Sequence, residues 1–390
     1  METKRDGLFS YHTLNDKERK NLMILELIKK KGPISRTDIS HITDINMVST
    51  SNYIKNYIDK KFVHEKGFDV STGGRRPELV EFNATGGYVI GVDVNTIELS
   101  AVVTNLAAQV IAKGKVPKPA GALKEVVDGA VALIEKIIKE SNINKPDIRA
   151  IGLGIAGNNF LSFTGEIEKK TGIETYAGSD AACAAFGEKK LNPEADVEDM
   201  LYMYSDVGCG IVVRGDIYFG AGGSAGEMHA FNERISKEED SVFFKESQYL
   251  RPWCIELGII QAAKREIARG IGTKMVALAS GHIENVTKQV VIEAARQNDE
   301  IALDIIKNAG INLGIRTAYL VNLFDPEVVV VGGSIEKAGD IILNPIKNAI
   351  KKFAFNKQAS LVRIIPSMLG EEGVSLGAAS LAIREIFLKA

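Results

Sequence analysis

The sequence is poor in cysteine and contains no long apolar run. Its three cysteines stand far apart among 390 residues, which excludes a disulfide framework and a cysteine-rich metal knuckle. No segment approaches the roughly 18 consecutive apolar residues that a membrane-spanning helix needs. The polar, charged N-terminus lacks the apolar segment of a secretory signal. We therefore expect a cytoplasmic protein that has no membrane partner.

Composition and length indicate a folded chain of several domains. Hydrophobic residues make up 45% of the chain and charged residues 25%, which is typical of globular proteins and argues against intrinsic disorder. A length of 390 residues suggests two or three domains. The net charge of -2 is unevenly spread, because residues 1–80 carry an excess of four positive charges and the remainder an excess of six negative charges. A basic first part fits nucleic-acid binding only if its fold fits as well.

The first part of the chain predicts three short helices. Apolar residues recur at helical spacing over residues 16–31, and the Gly-Pro pair that follows ends this helix. Ser35 is expected to cap a second helix, and Asp44 or Asn46 a third helix that runs to about residue 60. The second and third helices have the dimensions of a helix-turn-helix. The inward side chains that we expect on the third helix are Thr50, Ile54, Tyr57 and Ile58.

Two strand-like runs, FVHEKG and ELVEFN, follow these helices and predict a β-hairpin. The loop between them, STGGRRP, carries two arginines that suit the negative potential of a narrow minor groove. Helix-turn-helix and hairpin together are typical of a winged helix whose third helix enters the major groove. A small trihelical domain that does not bind DNA, with an ordinary exposed turn, is the alternative. The predicted DNA-binding residues are Ser35, Arg36, Ser49, Ser51, Asn52, Lys55, Asn56, Arg75 and Arg76.

The rest of the chain contains the same strand pattern twice. YVIGVDV, LSAVVTNL and AAQVIAK predict an antiparallel meander, followed by a helix near residues 122–141 and the apolar strand IRAIGLGIAG. MLYMYSDVGCGIVVRGDIYFG begins a second copy, and PEVVVVGGS is a later apolar strand. Two such units favour a duplicated α/β fold with ligands in a cleft between lobes.

This body resembles the ROK family of repressors and sugar kinases. The resemblance is carried by GVDVNTIELSAVVTNL, YAGSDAACAAFGE, DVGCGIVVRGDIYFGAGGSAGEMHA, VNLFDPEVVVVGGS and MLGEEGVSLGAASLA, and GGRRPELV is similar to the winged helix of the family's repressors. It implies an α/β protein with an N-terminal winged helix-turn-helix followed by a two-lobed actin-like (ribonuclease-H-like) domain. The expected divisions are a polar tail at 1–15, the winged helix at 16–82, a first lobe at 88–198 completed by helix 375–390, and a second lobe with the dimerisation region at 199–374.

The turns that hold ATP phosphates in the family's kinases are altered here. Where the resemblance implies Asp-x-Gly-Gly-Thr, the chain has Asp-Val-Asn-Thr-Ile at 93–97, and Gly-Cys-Gly at 208–210 replaces Gly-Thr-Gly. Side chains at 95 and 96 would obstruct the backbone amides that cradle phosphate. The Gly-Gly pair at 332–333 survives, and simple packing is the alternative role for these glycines. We expect no enzyme activity, weak or absent ATP binding and no cofactor.

The resemblance also supplies candidate effector contacts. Asp180 occupies the position of the kinase general base, and a carboxylate there can also accept hydrogen bonds from sugar hydroxyls; a helix N-cap is the alternative role. Glu227 and His229 fall in a shortened sugar motif, while Glu256 and Asn159 resemble other sugar-contacting positions. One cysteine and one displaced histidine cannot complete the family's tetrahedral zinc site, so no metal is expected.

These features together favour a regulator of transcription. The expected protein is a repressor of carbohydrate-utilisation genes that binds double-stranded operator DNA and a small sugar or sugar derivative, as a homodimer or higher homo-oligomer. An ATP-dependent sugar kinase with a DNA-binding head is one alternative. A ligand-insensitive DNA-binding protein whose body only dimerises is another.

Overall fold

The computed structural model describes residues 7–10, 14–68, 78–95, 97–156, 160–204, 208–228 and 255–390. The chain divides into two compact units, one made of residues 1–183 and 374–390 and the other of residues 184–373. The chain therefore passes between the units twice, at 183/184 and at 373/374. The finer domain boundaries expected from the sequence stay predictions.

The N-terminal part of the first unit forms the three helices and the hairpin expected from the sequence, and we call it the head. Its elements are α1 (Asp16–Lys31), β1 (Ile34–Ser35), α2 (Arg36–Thr43), α3 (Met47–Asp59), β2 (Val63–Phe68) and β3 (Glu78–Phe82). Side chains with amide or hydroxyl groups start each helix, as Asn15, Ser35 and Asn46 accept hydrogen bonds from backbone amides of the first turn. The strands form an antiparallel sheet in the order β1-β3-β2. The predicted hairpin and helix bounds are confirmed.

The remainder of the first unit is a five-stranded sheet with helices packed on it. Its elements are β4 (Tyr88–Val94), β5 (Glu98–Asn105), β6 (Val110–Pro117), α4 (Leu123–Ser141), β7 (Ile148–Ile155), α5 (Phe160–Thr171), β8 (Thr175–Ser179), the start of α6 (Asp180–Leu191) and the last helix, α13 (Gly373–Leu388). The strand order is β6-β5-β4-β7-β8, with the expected antiparallel meander followed by parallel strands. Gly91 and Gly152 let α13 lie directly on the sheet, because a Cβ at either position would collide with its backbone carbonyls.

Part of the expected polar tail belongs to this sheet. Leu8 pairs with Ala177 of β8, and the backbone amide of Phe9 donates to the Ala177 carbonyl. Phe9 is buried and stacks on Tyr176. Ser10 donates to the Glu385 carboxylate from both its amide and its hydroxyl, at 2.7 and 2.6 Å. Residues 7–10 are therefore packed structure, and the expectation of a tail does not hold for them.

The second unit repeats the sheet of the first. Its elements after α6 are β9 (Met200–Tyr204), β10 (Gly208–Val213), β11 (Asp216–Ile217), α7 (Ile255–Ala268), α8 (Lys274–Leu278), α9 (Lys288–Arg296), α10 (Glu300–Phe324), β12 (Val328–Gly332), α11 (Asp340–Phe353), α12 (Asn356–Leu361) and β13 (Arg363–Pro366). The order is β11-β10-β9-β12-β13, again antiparallel first and parallel after β9. The duplication expected from the sequence is confirmed. In the part of the chain that the structure describes, no helix is both long and apolar enough to cross a bilayer.

Candidate DNA-binding and effector sites

The outward face of α3 carries most of the predicted DNA-binding side chains of the head. Thr50, Ile54 and Tyr57 are buried, as expected, whereas Ile58 is only half-buried. On the remaining surface Asn52 and Lys55 are exposed, and the side chains that are half-buried are Ser49, Ser51 and Asn56. This face is therefore polar and accessible, as a helix that enters a groove must be.

Ser35 and Arg36 are engaged inside the head. Ser35 is buried, and its hydroxyl accepts from the Asp38 amide at 3.1 Å and donates to the Asp38 carboxylate at 2.7 Å. Arg36 lies 3.3 Å from the carboxylates of both Glu65 and Glu78, on the two strands of the hairpin. The expected capping by Ser35 is confirmed, and these bonds argue against direct DNA contacts by either side chain.

Exposed apolar side chains at the start of α3 were missed by sequence reasoning. Val48 is 72% exposed, Met47 is also exposed, and so is Ile42 near the end of α2. The first residues of a recognition helix meet base edges, and an apolar side chain there can contact the methyl group of thymine. The signal was available, because capping by Asn46 places residues 47 and 48 in the first turn.

Arg75 and Arg76 lie outside the described residues. The two strands that flank them are paired as far as Phe68 and Glu78. The predicted role of both arginines in the minor groove stays a prediction.

A buried hydrogen-bond network joins the head to α13. The Tyr57 hydroxyl donates to Asn21 Oδ1 at 2.9 Å, and Asn21 Nδ2 donates to the carbonyls of Ala390 at 2.9 Å and Leu388 at 3.3 Å. Phe387 of α13 packs edge-on against Phe62 and Phe82 of the head. Helix α3 is therefore tied to the end of α13 through its own buried tyrosine.

In the first turn, which follows β4, two backbone amides are hydrogen-bonded from within. Asn95 Oδ1 accepts from the amides of Ile97 and Glu98, both at 2.8 Å, and Asn95 Nδ2 donates to Asp93 at 3.4 Å. In a phosphate-binding turn such amides point at the ligand. Asn95 Oδ1 thus engages two amides of the kind that such a turn offers to phosphate.

Two carboxyl groups are buried beside this turn. Asp93 is 3% exposed and Asp180 is 2% exposed. Burial, reinforced by the charge of Asp180, holds the pKa of Asp93 well above its ordinary value, and Asp93 Oδ1 accepts no hydrogen bond from the described part of the chain. Burial also raises the pKa of the Cys183 thiol.

Asp180 is the first residue of α6 rather than its cap. Its Oδ1 accepts from the Ala181 amide at 2.7 Å, while the Ser179 hydroxyl accepts from the Ala182 amide at 3.2 Å in the manner of an N-cap. The expected helix start is confirmed, but the N-cap of α6 is Ser179 and not Asp180. The Asp180 carboxylate is therefore placed by the helix start and its neighbours.

In the second unit, Glu227 lies next to the glycine turn of β10. Gly226 has a φ of +84° and accepts from the Cys209 amide at 2.9 Å, and a Cβ at Gly226 would collide with the Cys209 carbonyl. Burial raises the pKa of the Cys209 thiol to about 12. This contact fixes the backbone of Glu227 beside residues 208–210.

Gly332 has a packing role in this unit. A Cβ there would collide with the hydroxyl of the buried Tyr202. The next residue, Gly333, accepts from Lys288 Nζ at 2.6 Å. Both observations favour the packing alternative for the Gly-Gly pair.

The other candidate effector contacts are not covered by the structure. Asn159 and His229 lie outside the described residues, and so does the side chain of Glu256, which belongs to the first turn of α7. Among the described residues no group of three histidine, cysteine or acidic side chains is placed to hold a metal ion. Cys254 also lies outside them, so the expected absence of zinc stays a prediction.

Comparison with known proteins decides the family. The sequence profile of the ROK family matches residues 157–385, which is more than half of the chain. The chain belongs to the ROK family. A protein named "Xylose repressor" from Caldicellulosiruptor bescii is 26% identical over 394 residues, covering 96% of this chain and 98% of that protein.

Solved structures agree on the fold. A ROK transcriptional regulator described as a homologue of the E. coli MLC protein has a TM-score of 0.77 and 21% identity, over 96% of this chain and 98% of that one. A ROK glucokinase from Streptomyces griseus has a TM-score of 0.63 and 22% identity, over 76% of this chain and 99% of its own. The expected fold, a winged-helix head followed by a two-lobed body like that of the sugar kinases, is confirmed.

Proposed function

We propose that this ROK protein is a sugar-responsive repressor of transcription that controls carbohydrate-utilisation genes. The observation that carries the proposal is a winged-helix head and a sugar-kinase-like body in one chain, in which Asn95 already accepts from two amides of the first turn. The relative named xylose repressor, which spans nearly the same length, supports it. Its effector is a small sugar, and xylose is the first to test.

The head binds operator DNA through α3. Asn52 and Lys55 lie on its exposed face, with Val48 at its start, so hydrogen bonds and an apolar contact are available to base edges. Arg75 and Arg76 reach the minor groove from the loop between β2 and β3. Arg36 acts indirectly in this proposal, because its ion pairs with Glu65 and Glu78 fix the hairpin against α2.

The body binds the effector but transfers no phosphoryl group. Asp180 accepts hydrogen bonds from sugar hydroxyls, and we assign supporting contacts to Asn159, Glu227, His229 and Glu256. Phosphoryl transfer would need the amides of the first turn, which Asn95 occupies. The sugar is therefore released from the protein without chemical change.

Helix α13 carries the effector signal to the head. It begins at Gly373, where the chain passes from the second unit to the first, and its far end is bound to α3 through Asn21 and Tyr57. A sugar that favours one arrangement of the two units thus acts on the helix that holds the head. Paired heads must match half-sites about one helical turn apart, so a modest change of position weakens operator binding. The sugar shifts this equilibrium only by its difference in affinity for the two arrangements.

The DNA-binding part is tested by titrating a fluorescent duplex from the region upstream of the protein's own gene at several salt concentrations. Arg75→Ala/Arg76→Ala is expected to weaken binding and to reduce the slope of log K against log salt by about 4, since paired heads lose four arginines and each lost contact removes about one unit. Arg265→Ala/Arg269→Ala, which removes two exposed arginines of the second unit, is the matched control and leaves both quantities unchanged. An identical slope in the wild type and the Arg75→Ala/Arg76→Ala variant would remove the wing from the proposal.

A further inference from the structure

The outward row of α3 begins with a side chain that adds little to the packing of the head. Val48 is 72% exposed in the first turn, and Asn52 follows one turn later on the same side of the helix. The buried side is formed by Thr50, Ile54 and Tyr57. A β-branched side chain forms helix less readily than alanine, and one that stays in water gains little from burial. Packing within the head therefore does not explain a valine at position 48.

Asn52 presents its side-chain amide to solvent. The residue is exposed, and no hydrogen bond joins its amide group to another of the described residues. The nearby Asn46 differs, because its Oδ1 accepts from the Ser49 amide at 2.9 Å and caps the helix. An asparagine amide that is not engaged within the protein can donate one hydrogen bond and accept another in the same plane. Asn52 is therefore available to a ligand that offers a matching acceptor and donor.

The charge distribution along α3 indicates which part of the DNA this row meets. From Asn46 to Ile54 the chain has no acidic or basic side chain, and Lys55 is the first charge of the helix. Phosphate contacts depend mainly on cationic side chains, so the uncharged first half of α3 suits base edges better than the DNA backbone. In the major groove, an apolar side chain contacts the C5 methyl group of thymine, and an asparagine amide pairs with N6 and N7 of adenine.

We infer that Val48 selects a thymine and Asn52 an adenine in each operator half-site, at positions one to two base pairs apart. The spacing follows from the helix, because four residues rise about 6 Å and successive base pairs are about 3.4 Å apart. The inference rests on the proposed function, since it assigns base identities to the contacts that α3 makes with operator DNA. It makes Val48 a residue that determines sequence specificity.

The first test enriches binding sites for the full chain from a pool of random duplexes. The wild type is expected to select half-sites with a thymine and an adenine one or two base pairs apart. Val48→Ser removes both methyl groups and is expected to lose the preference for that thymine but keep the preference for the adenine. Val110→Ser, at an exposed valine of edge strand β6, is the matched control and selects the same duplexes as the wild type. A thymine preference that persists in Val48→Ser would overturn the inference.

The second test removes single groups from the selected duplex. Deoxyuridine in place of the thymine lacks only the C5 methyl group and is expected to weaken wild-type binding about fourfold for each half-site, as for the loss of one buried methyl group. The same change leaves the affinity of Val48→Ser unaltered. An adenine analogue with carbon in place of N7 is expected to weaken binding by the wild type but not by Asn52→Ala. A deoxyuridine penalty of equal size in the wild type and Val48→Ser would contradict the inference.

The proposed function and this inference fail in different ways. If the full chain enriches no duplex from the pool, the proposed function is wrong and the base assignment falls with it. If duplexes are enriched and bound but neither base analogue weakens wild-type binding, the base assignment is wrong while the proposed function stands.

Discussion

The hydrogen bonds of Asn95 in the first turn lead to a prediction that separates a regulator from a kinase. In Asn95→Ala the amides of Ile97 and Glu98 lose their acceptor, at 2.8 Å each. A hydrogen bond of this kind contributes about 0.5–1.5 kcal/mol net. Because Ile97 is 66% exposed, water can replace part of the loss. We therefore expect the low end of the range, about 1 kcal/mol for the two bonds together, which is about a fivefold change in an equilibrium constant.

The assay is hydrogen–deuterium exchange of the peptide that spans residues 94–99. Asn95→Ala is expected to speed exchange at Ile97 and Glu98 about fivefold, in proportion to the lost stability. Asn95→Asp is the control for the acceptor alone, because its carboxylate still accepts from both amides, although it no longer donates to Asp93, and protection of Ile97 and Glu98 is kept. Addition of ATP and Mg²⁺ to the wild type is expected to change nothing in this peptide. Strong protection of residues 94–99 by the nucleotide would refute the reasoning, since the amides would then be available to phosphate.

Two further predictions concern stability. Burial and the charge of Asp180 raise the pKa of Asp93, so the folded state keeps a proton that the unfolded chain loses near the ordinary value of 3.8. Stability therefore falls as the pH rises from that value through the raised one, by about 1.4 kcal/mol for each unit of difference. Asp93→Asn removes this decline. When the melting temperatures of the wild type and of Asp93→Asn are plotted against pH from 4 to 8, the two plots should approach each other toward acidic pH. Parallel plots would show that Asp93 is ionised in the folded wild type over this range. Asn21→Leu leaves the Tyr57 hydroxyl and the Leu388 and Ala390 carbonyls unpaired and should lower the free energy of unfolding by about 2–3 kcal/mol. A loss within about 0.5 kcal/mol in urea denaturation, as for a surface substitution, would mean that the network is not formed.

Local signals allowed much of the fold to be predicted. The bounds of α1 follow from helical periodicity ended by the Gly-Pro pair, and the start of α2 follows from Ser35 as a cap. The two glycine-turn sheets follow from strand alternation, which is also local. Each of these features depends on residues close together in the sequence, where propensity and hydrogen bonding act directly.

Features that depend on distant residues could not be predicted. Phe9 is buried because it meets β8, and Asn21 lies on a buried face because the end of α13 supplies its acceptors. Neither partner can be identified from the neighbouring sequence. At the candidate site, the resemblance indicated that the first turn was obstructed. The mechanism, an Asn95 carbonyl that accepts from two amides, depends on side-chain geometry that the residue pattern does not contain.

The central claim is that a sugar controls the binding of this protein to DNA. The most direct measurement is the affinity of the full chain for its upstream duplex, with and without each of a panel of sugars that begins with xylose. The account predicts that one sugar changes the dissociation constant by at least about fivefold, the lower end of ordinary allosteric coupling. It also predicts that Asp180→Ala abolishes this response while DNA affinity without sugar stays the same. An affinity that no sugar alters, together with ADP formation from ATP and a sugar, would contradict the account.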